Sequence, residues 1–164
     1  MISFVLAMLA QVATGAWAPP VQAQWGGDGS TVNAHMASDD KPVSINGLAA
    51  LTLILSSNDG KFRVSPFLAA TRGMAFEVVD QNGNIVAPRE PIAMSPPAPP
   101  LDEEKLTVVT PNTPLKIKID ERANNLFPKP GRYRIQAIIS LMSIAGPTTY
   151  RQLRTNYVVI EVSA

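Results

Sequence analysis

The sequence predicts an all-β protein: two packed antiparallel sheets of seven or eight strands in total, behind an N-terminal signal peptide. Three observations carry this. Short apolar runs alternate with polar residues, as in half-buried strands. The 15 Pro and 10 Gly punctuate those runs with turns and leave no helical stretch long enough for a βαβ crossover. An uncharged apolar segment opens the chain.

The 164 residues fit one domain. A hydrophobic fraction of 46% argues for a packed core and against wholesale disorder. A formal net charge of +1 supplies no basic field for nucleic-acid phosphates, so nucleic acid is not an expected partner. The absence of cysteine excludes disulfides, thiol nucleophiles and Cys-based zinc sites. An exported chain without disulfides fits the bacterial periplasm or extracellular space better than the small animal secreted domains that depend on them.

Residues 1–23 form the expected signal peptide. Phe4 to Ala18 is nearly all apolar, too short for a confident transmembrane span of about 20 residues. Val21-Gln22-Ala23 offers a cleavage site before Gln24. Ala16-Trp17-Ala18 is a second match, spoiled by Pro19. No Lys or Arg precedes the apolar stretch, so retention as a weak anchor is the alternative. Once cleaved, the chain has no stable membrane span.

Residues 24–42 read as a flexible leader, with Gly26-Gly27-Asp28-Gly29-Ser30 and the lone His35. The folded domain is expected over 43–164. Leu51, Leu53 and Leu55 alternate with Thr52 and Ile54, and Asn58-Asp59-Gly60 turns into a strand bearing Phe62 and Val64. Met74, Phe76 and Val78 share one face of the next strand, and Asn82-Gly83 closes a hairpin back through Ile85 and Val86. Pro88, Pro91, Pro96, Pro97, Pro99 and Pro100 make 87–100 an extended, polyproline-like loop. A short strand follows around Leu106 and Val108. Leu115, Ile117 and Ile119 against Lys116, Lys118 and Asp120 give the cleanest alternation in the chain. Ala123 to Phe127 is a single helical turn, Arg132 to Met142 a long strand, and Leu153 to Val162 the last one.

Pro130-Gly131-Arg132-Tyr133 resembles the corner that opens the penultimate strand of immunoglobulin-like β-sandwiches. There a tyrosine hydroxyl returns to nearby backbone, so Gly131 and Tyr133 are the expected structural corner. The wider order is a Leu-Thr-Leu strand, a Pro-Phe-Leu, the stretch Phe76 to Val86, a Pro-rich loop, a strand ending in Asp120, and this corner. It is similar to the non-catalytic β-sandwich module preceding the catalytic domain of deuterolysin-type zinc endopeptidases, and loosely to small bacterial proteinase-inhibitor sandwiches. The resemblance implies a fold and not a site: the zinc-binding His-Glu-x-x-His of such peptidases is absent from this sequence.

No constellation points to catalysis, a metal or a cofactor. A Ser-His-Asp arrangement needs a fixed histidine, and His35 lies in the expected leader. One histidine without cysteine makes no ordinary zinc site. A pair among Asp102-Glu103-Glu104 and Asp120-Glu121 could in principle perform acid–base work, but adjacent acids on loops are ordinarily solvated. Asp80-Gln81-Asn82-Gly83-Asn84 has the oxygen spacing of a calcium loop, but its glycine stands too early and Pro91 takes the place of the closing glutamate. The basic set Lys116, Lys118, Arg132, Arg134, Arg151 and Arg154 reads as solvated sheet surface. The expectation is therefore an exported, non-catalytic binding module with another envelope or secreted protein as partner. Its candidate contact loop holds Pro91, Met94, Pro96, Pro97, Pro99 and Pro100, or else a sheet edge serves. The alternatives are a proteinase-inhibitor-like domain acting through that loop and a carboxylate-dependent hydrolase.

Overall fold

The computed structural model describes residues 23–27, 32–58, 61–68, 74–86, 102–145 and 150–164. The period-two runs become strands: β1 (Ala23–Gly26), β2 (Val32–Ser38), β3 (Val43–Ser44), β4 (Leu48–Ser57), β5 (Phe62–Val64), β6 (Met74–Asp80) and β7 (Ile85–Val86). They continue as β8 (Thr107–Val109), β9 (Leu115–Arg122), β10 (Gly131–Ser143), β11 (Tyr150–Arg154) and β12 (Val158–Ser163). A 3-10 turn covers Glu103–Lys105, and one helical turn, α1 (Ala123–Leu126), joins β9 to β10. Among the described residues, no helix is long and apolar enough to cross a membrane.

Two sheets pack face to face. The smaller has the order β2-β4-β9. In the larger, β10 is the spine: β12 and β11 pair along one side of it, β6 and β1 along the other. Outside these lie β3 on β12, β7 on β6, and β5 then β8 beyond β1. The order β2-β4-β9 thus faces β3-β12-β10-β6-β7 across an all-β sandwich.

Two features depart from the expectation. The larger sheet is mixed, because β1 runs parallel to β10 and β3 parallel to β12. The described residues also carry more strands than foreseen. Two of the additions, β1 and β2, lie in or at the start of the stretch read as a flexible leader, and β3 opens the expected domain at Val43. β2 pairs with β4 at every position from Val32 to Ser38, and Met36 is fully buried. The stretch looks structureless alone because its inward side chains are mostly small; the partner that orders it is β4, further along the chain. The expected signal peptide and contact loop, including Pro91, Met94, Pro96, Pro97, Pro99 and Pro100, lie outside the described residues but for Ala23.

Inward side chains of both sheets form one core. Met36, Leu51, Leu53, Leu55 and Ile119 come from the smaller sheet; Phe76, Val78, Tyr133, Ile135, Ile139, Leu141, Ile160 and Val162 come from the larger. Each fully buried Leu or Ile contributes about 1.5–3 kcal/mol over its exposed state. The hairpin at Asp80–Asn84 forms as the Asn82-Gly83 pair predicts: Gly83 adopts φ 86° and donates its N–H to the Asp80 carbonyl at 3.0 Å.

The corner before β10 also forms. The Tyr133 hydroxyl donates to the Lys129 carbonyl at 2.9 Å, and its ring meets Phe127 with centroids 4.9 Å apart. Burial raises the Tyr133 phenol above its ordinary pKa. Tyr133→Phe keeps the ring and removes the donor. The expected loss is about 1 kcal/mol in stability, read from the denaturant midpoint at unchanged slope.

Candidate functional site

The three residues joining β11 to β12 contain the element that shapes the surface. Ile138 pairs with Arg154 and Ile135 with Val158, so two residues of β10 face three of the partner, Thr155–Tyr157. One extra residue in one strand is a β-bulge, and bulges re-aim side chains. Before it Leu153 and Thr155 point inward; after it Val158, Ile160 and Val162 do. The Thr155 hydroxyl replaces a ladder carbonyl, accepting the Ala137 N–H at 2.9 Å, while the Thr155 N–H reaches the Ala137 carbonyl at 3.1 Å. Asn156 is turned toward the smaller sheet. Tyr157 is turned outward over β6 and β10.

Tyr157 joins a hydrogen-bonded network on the outer face. Its hydroxyl donates to Glu77 Oε1 at 2.5 Å. Gln136 Nε2 donates to the same oxygen at 2.5 Å and to the Tyr157 oxygen at 2.9 Å. Arg154 Nη1 lies 3.5 Å from Glu77 Oε2, and the Arg134 guanidinium sits 5.5 Å above the Tyr157 ring centroid. Gln136 is buried and the Glu77 side chain largely so, at 21% exposure, which makes the pair stronger than an open surface contact. Arg134 over tyrosine adds a cation–π contact of about 0.5–1 kcal/mol for an exposed site.

The Tyr157 hydrogen bond is the largest influence on Glu77 and holds its carboxyl below the usual range, with Gln136 and Arg154 assisting against burial. The same bond is the largest influence on Tyr157 and raises its phenol. A depressed carboxyl pKa stabilises the fold above the unfolded value, and that stabilisation is lost as pH falls through the folded value. Stability is therefore expected to fall with acidification below about pH 4.5, the ordinary value for this group. In Glu77→Gln the part of that slope owed to Glu77 disappears, as thermal midpoints measured across the acid range would register.

Apolar side chains surround the network. Among the described residues six large apolar side chains are exposed: Leu48, Phe67, Ile85, Val108, Tyr157 and Val159. Ile85 at 70%, Val159 at 46% and Tyr157 at 42% lie on this one face. Register sets them there, since Arg134 pairs with Val159 on one side and Val79 on the other, and Val79 pairs with Ile85. Arg132 stands beside them opposite Glu161. Asp80, Gln81, Arg132, Tyr133, Arg134 and Val159 line an open depression at the end of the face.

The residues singled out from sequence are dispersed. Arg132, Arg134 and Arg154 share the face, whereas Lys116 and Lys118 point outward from the opposite sheet. Arg151 pairs with the inward Leu141 and is half-buried, so it leaves the outward set. His35 is exposed on β2 rather than in a leader. Two of the acidic side chains are engaged locally: Asp102 bridges to Lys105 at 3.1 Å, and Glu121 accepts the Asn125 amide at 2.6 Å. Asp80 accepts the Asn82 and Asn84 backbone N–H groups, both at 2.9 Å, as a turn-forming aspartate does.

Sequence reasoning missed Glu77, Gln136, Asn156 and Tyr157. The available signal was the phase slip between Leu153 and Val158, which marks the bulge. No protein-family model, curated protein or solved structure matches this chain.

Proposed function

We propose that the chain is an exported, non-catalytic binding module for another protein, and that it contacts its partner through the outer face of β6, β10 and β12. One observation carries this: Ile85, Tyr157 and Val159 are exposed together around a pre-ordered Arg134–Tyr157–Glu77–Gln136 network. Tyrosine and arginine are the residues most enriched at the energetic centres of protein interfaces, and side chains already held in place lose little entropy on docking. The face is open and sheet-like, the form of a contact surface rather than an enclosed reaction site.

The test is affinity capture from an envelope extract at moderate salt, with full-length chain as bait, beside Arg134→Ala/Tyr157→Ala. A stoichiometric protein captured by the wild type and lost by the double variant supports the proposal. Equal capture by both moves the contact elsewhere.

A further inference from the structure

We propose that Asn82 is a self-modification site, where the Gly83 nitrogen converts the asparagine to aspartate or isoaspartate, and that Asp80 sets the rate by holding the turn shut. Asn82-Gly83 tips the β6–β7 hairpin. Both residues are exposed, and among the described residues the Asn82 carboxamide has no hydrogen-bond partner. Gly83 has no side chain to screen its nitrogen, and the space a Cβ would take there is empty to 4 Å. The reaction needs only the chain and water. The Gly83 nitrogen, on losing its proton, bonds to Asn82 Cγ, and the carboxamide C–N bond breaks to release ammonia. Water then opens the cyclic imide at either carbonyl.

Asp80 restrains this reaction. Its Oδ1 accepts the Asn82 and Asn84 backbone N–H groups at 2.9 Å each, and its Oδ2 accepts the Asn84 side-chain amide at 3.2 Å. Its carbonyl holds the Gly83 N–H at 3.0 Å, and its own N–H meets the Asn84 carbonyl at 2.9 Å. A nitrogen whose proton is hydrogen-bonded gives it up less readily, and ring closure needs the turn to open. A second Asn-Gly pair, Asn46-Gly47, joins β3 to β4 and sets the scale. There the Gly47 N–H donates to the Ser44 carbonyl at 2.8 Å, and the Gly47 carbonyl accepts the Ala123 N–H at 3.0 Å. That pair is fastened to α1 as well as to its own turn, whereas the bonds around Asn82-Gly83 all run to Asp80. Asn82 is therefore the pair that converts first in the folded chain. Conversion adds a negative charge beside Gln81, which lines the depression with Arg132 and Arg134. Isoaspartate also lengthens the backbone by one methylene, against the register that sets Ile85 opposite Val79. The outer face is thus altered from this corner.

The experiment incubates full-length wild type, Asp80→Ala and Asp80→Asn under native conditions at constant, mildly alkaline pH, with wild type in urea as the unfolded reference. Mass spectrometry of proteolytic peptides follows conversion at Asn82 and Asn46 in the same sample. In urea the two Asn-Gly pairs should convert at similar rates. In folded wild type Asn82 should convert roughly tenfold more slowly than in urea, yet ahead of Asn46. Asp80→Ala should speed Asn82 roughly fivefold or more and leave Asn46 unchanged, since only the hairpin loses bonds. Asp80→Asn keeps an acceptor and should lie between. Folded wild type converting Asn82 at the urea rate, or Asn46 ahead of Asn82, overturns the inference. So does an Asp80→Ala rate equal to wild type, or one that rises as much at Asn46, because that pattern belongs to general unfolding.

Discussion

Gly27→Ala is expected to cost roughly 3 kcal/mol or more and to detach one end of the larger sheet. Gly27 follows β1 with φ 77°, and a Cβ at this position would lie 1.7 Å from the Lys61 carbonyl oxygen. Backbone cannot yield as the tip of a side chain does, so β1 and β5 must move apart. The consequence spreads because, among the described residues, β5 and β8 reach the rest of their sheet through β1. Trp25 on β1 stacks on Phe62 of β5, with ring centroids 6.1 Å apart, and both side chains leave that contact together. Amide exchange should show β1, β5 and β8 losing protection while the β10–β12 ladder keeps it. Stability within about 0.5 kcal/mol of wild type, the range of a neutral surface change, would mean that β1 is not docked as described.

Phe127→Ala is the second large effect. Phe127 is fully buried at the end of α1 and fills the corner against Tyr133. Truncating a buried phenylalanine costs about 3–5 kcal/mol, from lost burial plus the cavity left behind. Here the cavity also removes the support that fixes the Tyr133 ring for its bond to Lys129. Combined with Tyr133→Phe, the two losses should differ measurably from their sum, because the rings touch. Strict additivity in urea unfolding would show that the corner is not a unit.

The parts legible in the sequence are those whose signals are local. Leu115–Asp120 announces its inward face by alternation alone, Asn82-Gly83 encodes its hairpin, and Gly131-x-Tyr133 places the corner four residues after the carbonyl it bonds. β2 was illegible because its alternation rests on Val32, Ala34 and Met36 with small or polar neighbours, and because β4 supplies its order. The proposed contact face was illegible for a related reason. Glu77 and Tyr157 are 80 residues apart and Glu77 and Gln136 are 59 apart, so only the sheet register brings them together. Reading Leu153 to Val162 as one regular strand hid the bulge, although the shift of inward positions from odd to even was present in the sequence.

The most direct test of the central claim is amide exchange of the full-length chain with and without a protein captured as proposed, followed residue by residue. New protection should centre on Glu77 of β6, Arg134 and Gln136 of β10, and Tyr157–Val159, leaving the β2-β4-β9 sheet unchanged. Protection confined to β2, β4 and β9, with no change around Tyr157, would contradict it.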